Sequence, residues 1–120
     1  MPNMGVQYSD FLTEDAIAEM LRSSLRQHSL TSSGWDFRIE DSIRGLGGYT
    51  DFDRKLILLS RDYWPTSNEN IAELVRHEVA HAIRGVGDHD REWWDILVSI
   101  GGHGIWISDE GEEIRVIVEP

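Results

Sequence analysis

Residues 74–83 read Leu-Val-Arg-His-Glu-Val-Ala-His-Ala-Ile, a stretch without proline or glycine. Its apolar residues recur at three- and four-residue spacing, the period of a helix with one buried face. Upstream, Thr66-x-x-Glu69 has the form of a capping box, and downstream Gly85 supplies a C-terminal stop. The spacing therefore predicts a helix from about Ser67 to Arg84. On that helix His77 and His81 are four apart, so their rings stand one above the other. Any fold for this chain must bury the apolar side of this helix and leave room in front of two imidazoles.

Two imidazoles on one helical face can hold one metal ion. Glu78 is rotated by roughly 100° from His77, which puts it beside such an ion rather than on it. Two ligands with a base next to a bound water are what a hydrolytic zinc site needs. The chain has no cysteine, so disulfides, zinc ribbons and thiol catalysis are excluded, and any metal must take His or carboxylate ligands. Catalytic zinc usually keeps three protein ligands. His89 is the leading third candidate, in Gly85-Val86-Gly87-Asp88-His89-Asp90, where two glycines let the chain turn back toward the helix. His103, also preceded by glycines, is a weaker alternative. His28 falls on the apolar side of the first predicted helix and reads as a packed residue. Asp88 and Asp90 flank His89; either could orient an imidazole, and either could cap the next helix. His ligands suit nickel, cobalt and copper as well as zinc.

The rest of the chain reads as one domain over residues 1–120, with a loose lead-in at 1–9 and a C-terminal hairpin at 103–120. Thr13 to His28 is amphipathic, with Ile17, Met20, Leu21 and Leu25 on one stripe and Glu14 and Asp15 in the first turn. Trp35 to Glu40 alternates apolar and polar residues, as a half-buried strand does. Tyr49 to Phe52 is a second strand, and Asp53-Arg54 a tight corner. Lys55 to Ser60 is a short apolar run that predicts a central strand covered on both faces. Arg91 to Ile100 is a third helix with Trp93, Ile96, Leu97 and Ile100 inward; Trp93 is expected in the core below the metal site and Trp94 nearer solvent. Ile105–Ile107 and Ile114–Val118 are expected to be strands joined by an acidic turn around Gly111, the second completing the sheet. The run Asp109 to Glu113 does not have the spacing of a calcium loop. The order α-β-β-β-α-α-β-β predicts an α+β domain.

Charge narrows the function classes. With 22 acidic against 11 basic residues the net charge is −11, so no basic footprint for nucleic acid or an anionic membrane is present. No apolar run is long enough for a membrane span, and no secretory leader is visible, so a cytoplasmic protein is expected. Tyr49, Tyr63 and Arg91 are candidates to steady a developing oxyanion, although each is more simply a surface or packing residue.

The stretch from Lys55 to Gly102 resembles the SprT-like zinc metallopeptidases, the group that includes the Spartan proteases. The resemblance rests on the strand Ile57-Leu58-Leu59-Ser60, the helix motif His77-Glu78-Val79-Ala80-His81-Ala82, and His89-Asp90-Arg91-Glu92-Trp93. Gly34-Trp35-Asp36-Phe37-Arg38 and Gly47-Gly48-Tyr49 are similar to the two strands that precede these in the family, so the likeness spans about residues 13–102. It implies a zincin-like domain in which an antiparallel sheet of three to five strands packs on the HExxH helix, with two further helices. It implies one zinc ion on His77, His81 and His89, with Glu78 as catalytic acid and base. Short forms of the family occur in bacteria and phages, which adds a phage host's cytoplasm or a virion as an expected location. Many relatives carry a zinc ribbon or a DNA-binding tail. This chain has an acidic tail and no cysteine, so cleavage of DNA-bound proteins is not expected of it.

Three readings follow. The first is a zinc-dependent metallopeptidase acting on a protein or peptide, with Glu78 activating a zinc-bound water. The second is a catalytically silent zinc-binding module with a structural or protein-interaction role. The third is a peptidase restricted to one partner protein.

Overall fold

A computed structural model describes residues 13–41, 47–61, 68–107 and 113–115. The lead-in at 1–9, Tyr63, the Thr66 cap, the turn around Gly111 and residues 116–118 lie outside the described residues. The chain forms an α+β fold. Helix α1 spans Glu14–Gln27, and the Thr13 hydroxyl caps it by accepting the Ala16 N–H at 3.1 Å. A short 3₁₀ turn at Thr31–Ser33 ends on Gly34 at φ +96° and leads into strand β1, Asp36–Glu40. Strands β2, Gly48–Asp51, and β3, Leu56–Ser60, follow. Helix α2 is Asn68–Arg84 and helix α3 is Arg91–Ser99. The short strands β4, Ile105–Ile107, and β5, Glu113–Arg115, complete the order.

The first three strands form one sheet in the order β1-β3-β2. β2 and β3 are joined by a corner at residues 52–55, where the Asp51 carboxylate accepts the Arg54 backbone N–H at 3.1 Å and its Nε–H at 2.8 Å. So short a connection forces an antiparallel pair, with Gly48 opposite Leu59 and Asp51 opposite Leu56. β1 corrects the expectation of a wholly antiparallel sheet, because it pairs with β3 in parallel, Asp36 opposite Leu56 through Glu40 opposite Ser60. The reason is the order of closure. β1 does not form a hairpin with β2; the chain reaches β2 one strand further out, and β3 fills the slot between them. The tail is a second correction. β5 pairs antiparallel with β4, Ile105 opposite Arg115, in a separate two-stranded sheet, and does not extend the first one.

Helix α2 holds the domain together because it is buried on two sides. Ile71, Leu74, Val75 and Val79 pack with Ile17, Leu21 and Leu25 of α1 and with Ile57 and Leu59 of β3. Each such side chain, fully buried, contributes about 1.5–3 kcal/mol relative to exposure. All five residues of β3 are buried, which is why Leu56 to Leu59 are apolar throughout rather than alternating. On its other side α2 presents Ala80 to a smaller cluster with Trp93 and Leu97 of α3. The end of α3 closes tightly. Gly102 donates its N–H to the Leu97 carbonyl at 2.8 Å, and a Cβ there would overlap the Leu97 side chain. Among the described residues, no helix is long and apolar enough to cross a membrane.

Candidate metal centre

Three elements of the site come from one stretch of chain. His77 and His81 sit one turn apart on α2, and their Nε2 atoms are 3.2 Å apart. After Arg84 the helix stops at Gly85, whose φ of +89° suits only a residue without a Cβ. The turn returns His89 to the same point, with its Nε2 3.1 Å from that of His77 and 3.1 Å from that of His81. Two contacts hold the turn closed. Asp90 caps α3 by accepting the Trp93 N–H at 2.9 Å, and it pairs with Arg84 at 2.8 Å. Capping is thus the role Asp90 takes, and Arg84 holds its carboxyl down at about 2.

Trp93 forms the floor. It is fully buried, its ring stacks on His81 at 5.3 Å between centroids, and it lies 4.9 Å from His77 and 4.6 Å from His89. Its Nε1–H points to the His77 carbonyl at 3.4 Å. A rigid aromatic plate under three imidazoles limits how far each ring can turn.

The donor set fits one metal ion. Neutral imidazole offers one bare nitrogen, and in the tautomers that leave all three Nε2 atoms bare, their convergence within 3.1–3.2 Å makes a ready three-nitrogen seat for a cation. Tetrahedral zinc with Zn–N bonds of about 2.0–2.1 Å places its nitrogens about 3.3 Å apart, close to the spacing here. Protonation favours the same conclusion. Burial, then the neighbouring His81 and His89, hold His77 down at about 3. Burial, then His89, hold His81 down at about 4. Both rings are neutral above about pH 5, the form that ligates metals.

Glu78 lies beside this triad. Its Oε2 is 4.0 Å from His77 Nε2, and burial pushes its carboxyl up to about 7, against the pull of a hydrogen bond from Thr50. Thr50 Oγ1 is 2.9 Å from Glu78 Oε1. The four groups open onto a cavity of about 390 Å³, walled by Tyr49, Thr50 and Phe52 on one side and Gly87 on the other.

Other expected site residues fall elsewhere. His103 is not with the triad. Its backbone N–H is held by the Glu73 carboxylate at 3.1 Å, and its Nε2 is 3.7 Å from Glu73 Oε1. His28 caps the end of α1, half-buried. Arg91 pairs with Asp95 at 3.0 Å on the surface. Tyr49 stands at the cavity wall, 48% exposed. Thr50 and Glu73 carried no signal as site residues in the sequence. Thr50 lies 28 residues from its partner Glu78, beyond any local spacing rule. Glu73, a charged residue on a helix, reads as solvent-facing, yet it is 1% exposed and accepts the N–H groups of His103 and Gly104.

These shifts predict how the metal-free protein responds to acid. As pH falls through about 6.5, the unfolded chain protonates His77 and His81, while the folded chain does not until about 4 and 3, so stability drops. Glu78 acts in the opposite sense: its raised value adds stability below about 4.5, and that contribution is lost as pH rises through about 7. Between roughly pH 5 and 6 the two histidines outweigh the one glutamate by one proton, so stability rises with pH by about 1 kcal/mol per unit. Urea unfolding in the presence of a chelator measures this slope. A flat or falling profile would contradict neutral, buried imidazoles.

Compared with protein-family models and with curated proteins, the chain matches none.

Proposed function

We propose that this protein is a zinc-dependent peptidase of the SprT-like kind, with a zincin-like active site on α2. The observation that carries the proposal is the convergence of three imidazole Nε2 atoms within 3.2 Å, with the Glu78 carboxylate 4.0 Å from one of them. His77, His81 and His89 would hold the ion. Bound there, zinc would supply a Lewis acid for the scissile carbonyl and acidify a water.

The chain's own residues do the rest. Glu78 accepts the proton of the attacking water at Oε2 and returns it to the leaving amine nitrogen. Burial raises its carboxyl in the metal-free protein, and a bound cation would favour the ionised form that accepts the proton. Trp93 keeps the three ligand rings in one arrangement, which limits reorganisation during reaction. The cavity is open, with Tyr49 and Phe52 on its wall, which leaves a polypeptide substrate access to Glu78 and the three imidazoles. A cysteine-free chain with a net charge of −11 suits a cytoplasmic setting and a protein substrate rather than nucleic acid.

The test is elemental analysis of untagged protein, wild type and His89→Ala together, followed by digestion of an unfolded protein with and without chelator. The expected result is about one zinc per wild-type chain, reduced occupancy in the variant, and chelator-sensitive cleavage. Absence of metal from the wild type, even after zinc is added back, would overturn the reading.

A further inference from the structure

Among the described residues β2 lies at the edge of its sheet, and its side chains alternate between two faces. Tyr49 takes one face and is exposed. Gly48 and Thr50 take the other, which is turned to α2, and both meet Glu78. Thr50 is 5% exposed, and its Oγ1 lies 2.9 Å from Glu78 Oε1 and 3.2 Å from the Glu78 carbonyl oxygen. A hydroxyl has one proton to donate, and the carboxylate is both the nearer and the stronger acceptor. Gly48 acts by what it lacks. A Cβ there would stand 3.1 Å from Glu78 Cγ and 3.2 Å from Oε2, and 3.1 Å from Leu74 Cδ1.

A glutamate in an HExxH helix is not placed by the helix alone. Its carboxylate is separated from the backbone by three rotatable bonds, and the neighbouring imidazole is 4.0 Å away, too far to hold it. We propose that Gly48 and Thr50 form a positioning clamp for Glu78. Thr50 fixes Oε1, and the missing side chain at Gly48 gives the carboxylate the room to lie with Oε2 toward the imidazoles. Thr50 holds Oε1, while Oε2 lies over Gly48 and 4.0 Å from the His77 ring nitrogen. Thr50 is therefore a positioning residue for the hydrolysis, a role that rests on Glu78 being the base. It is placed by the sheet, since β2 must pair with β3 in the observed register for Gly48 and Thr50 to reach Glu78.

The test compares zinc-loaded wild type with Thr50→Ser and Thr50→Val, reading zinc content, kcat, KM and the Glu78 carboxylate position in crystal structures. Thr50→Val keeps the shape and removes the hydrogen bond. It should bind zinc as the wild type does, lose about 10²-fold in kcat at unchanged KM, and show the carboxylate displaced or in more than one position. Thr50→Ser restores the hydroxyl and should stay within about three-fold of wild type. Wild-type kcat and an unmoved Glu78 in Thr50→Val would overturn the clamp, as would a Thr50→Ser as impaired as Thr50→Val. If Thr50→Val does not fold, Thr50→Ala carries the same comparison. If zinc-loaded wild type cleaves no polypeptide, the peptidase reading fails on its own, and the carboxylate position in Thr50→Val still decides the clamp.

Discussion

Glu78→Gln will retain about one zinc per chain and lose about 10²–10⁴-fold in peptide hydrolysis, the range expected when a general base is removed. The substitution is nearly isosteric. The amide oxygen can still accept the Thr50 hydroxyl that now lies 2.9 Å from Oε1, so the side chain keeps its place and only its basicity is lost. His77, His81 and His89 are untouched, which is why metal content should not change. Stability gives an independent check. Burial raises the Glu78 carboxyl to about 7, so ionising it above that pH works against folding. Glu78→Gln removes that cost and should be at least as stable as wild type at pH 8, measured by urea unfolding of the metal-free forms. Retention of hydrolysis within about ten-fold of wild type would mean that Glu78 is not the base.

Metal removal has the second large effect, and it falls on stability. The triad ties the C-terminal turn of α2 to the segment that opens α3, directly above Trp93. An ion that binds the folded chain alone stabilises it by about 2.7–4 kcal/mol at free metal 100–1,000 times Kd. For a chain of this size that corresponds to a Tm higher by about 10 °C. Thermal unfolding of zinc-loaded protein before and after chelation reads the shift. His81→Ala should remove most of it, because its apo and zinc-supplemented curves should nearly coincide. Equal Tm values for loaded and stripped wild type would show that the ion is not linked to folding.

The parts of the fold that were legible in the sequence are those set by local periodicity. The three- and four-residue spacing in Leu74–Ile83 placed α2 and put His77 and His81 on one face, and the unbroken apolar run at 56–59 identified β3 as central. His89 was legible because the glycines after Arg84 signal a turn, and Gly85, at positive φ, makes the return that brings its ring back to α2. Strand direction was not. Alternation at Trp35–Glu40 reports which face is buried and says nothing about the partner, so the parallel β1–β3 pair and the separate β4–β5 sheet could be read only from the closed structure. Thr50 and Glu73 were missed for a related reason. Their partners, Glu78 and the His103–Gly104 backbone, lie 28 to 31 residues away, and a polar residue in sequence looks solvated until the fold buries it.

The division of the three donors between helix and turn governs how the ion comes and goes. His77 and His81 form a preset bidentate chelate on one helix, while His89 is a third arm attached through the 85–88 turn. A metal held by the three rings would be released first at that arm, since His89 is carried by the turn and not by α2. The Arg84–Asp90 pair, at 2.8 Å, spans the base of the arm and pre-empts much of its loop-closure entropy. Weakening that pair would shorten the residence time of a bound ion while leaving its three ligands in place.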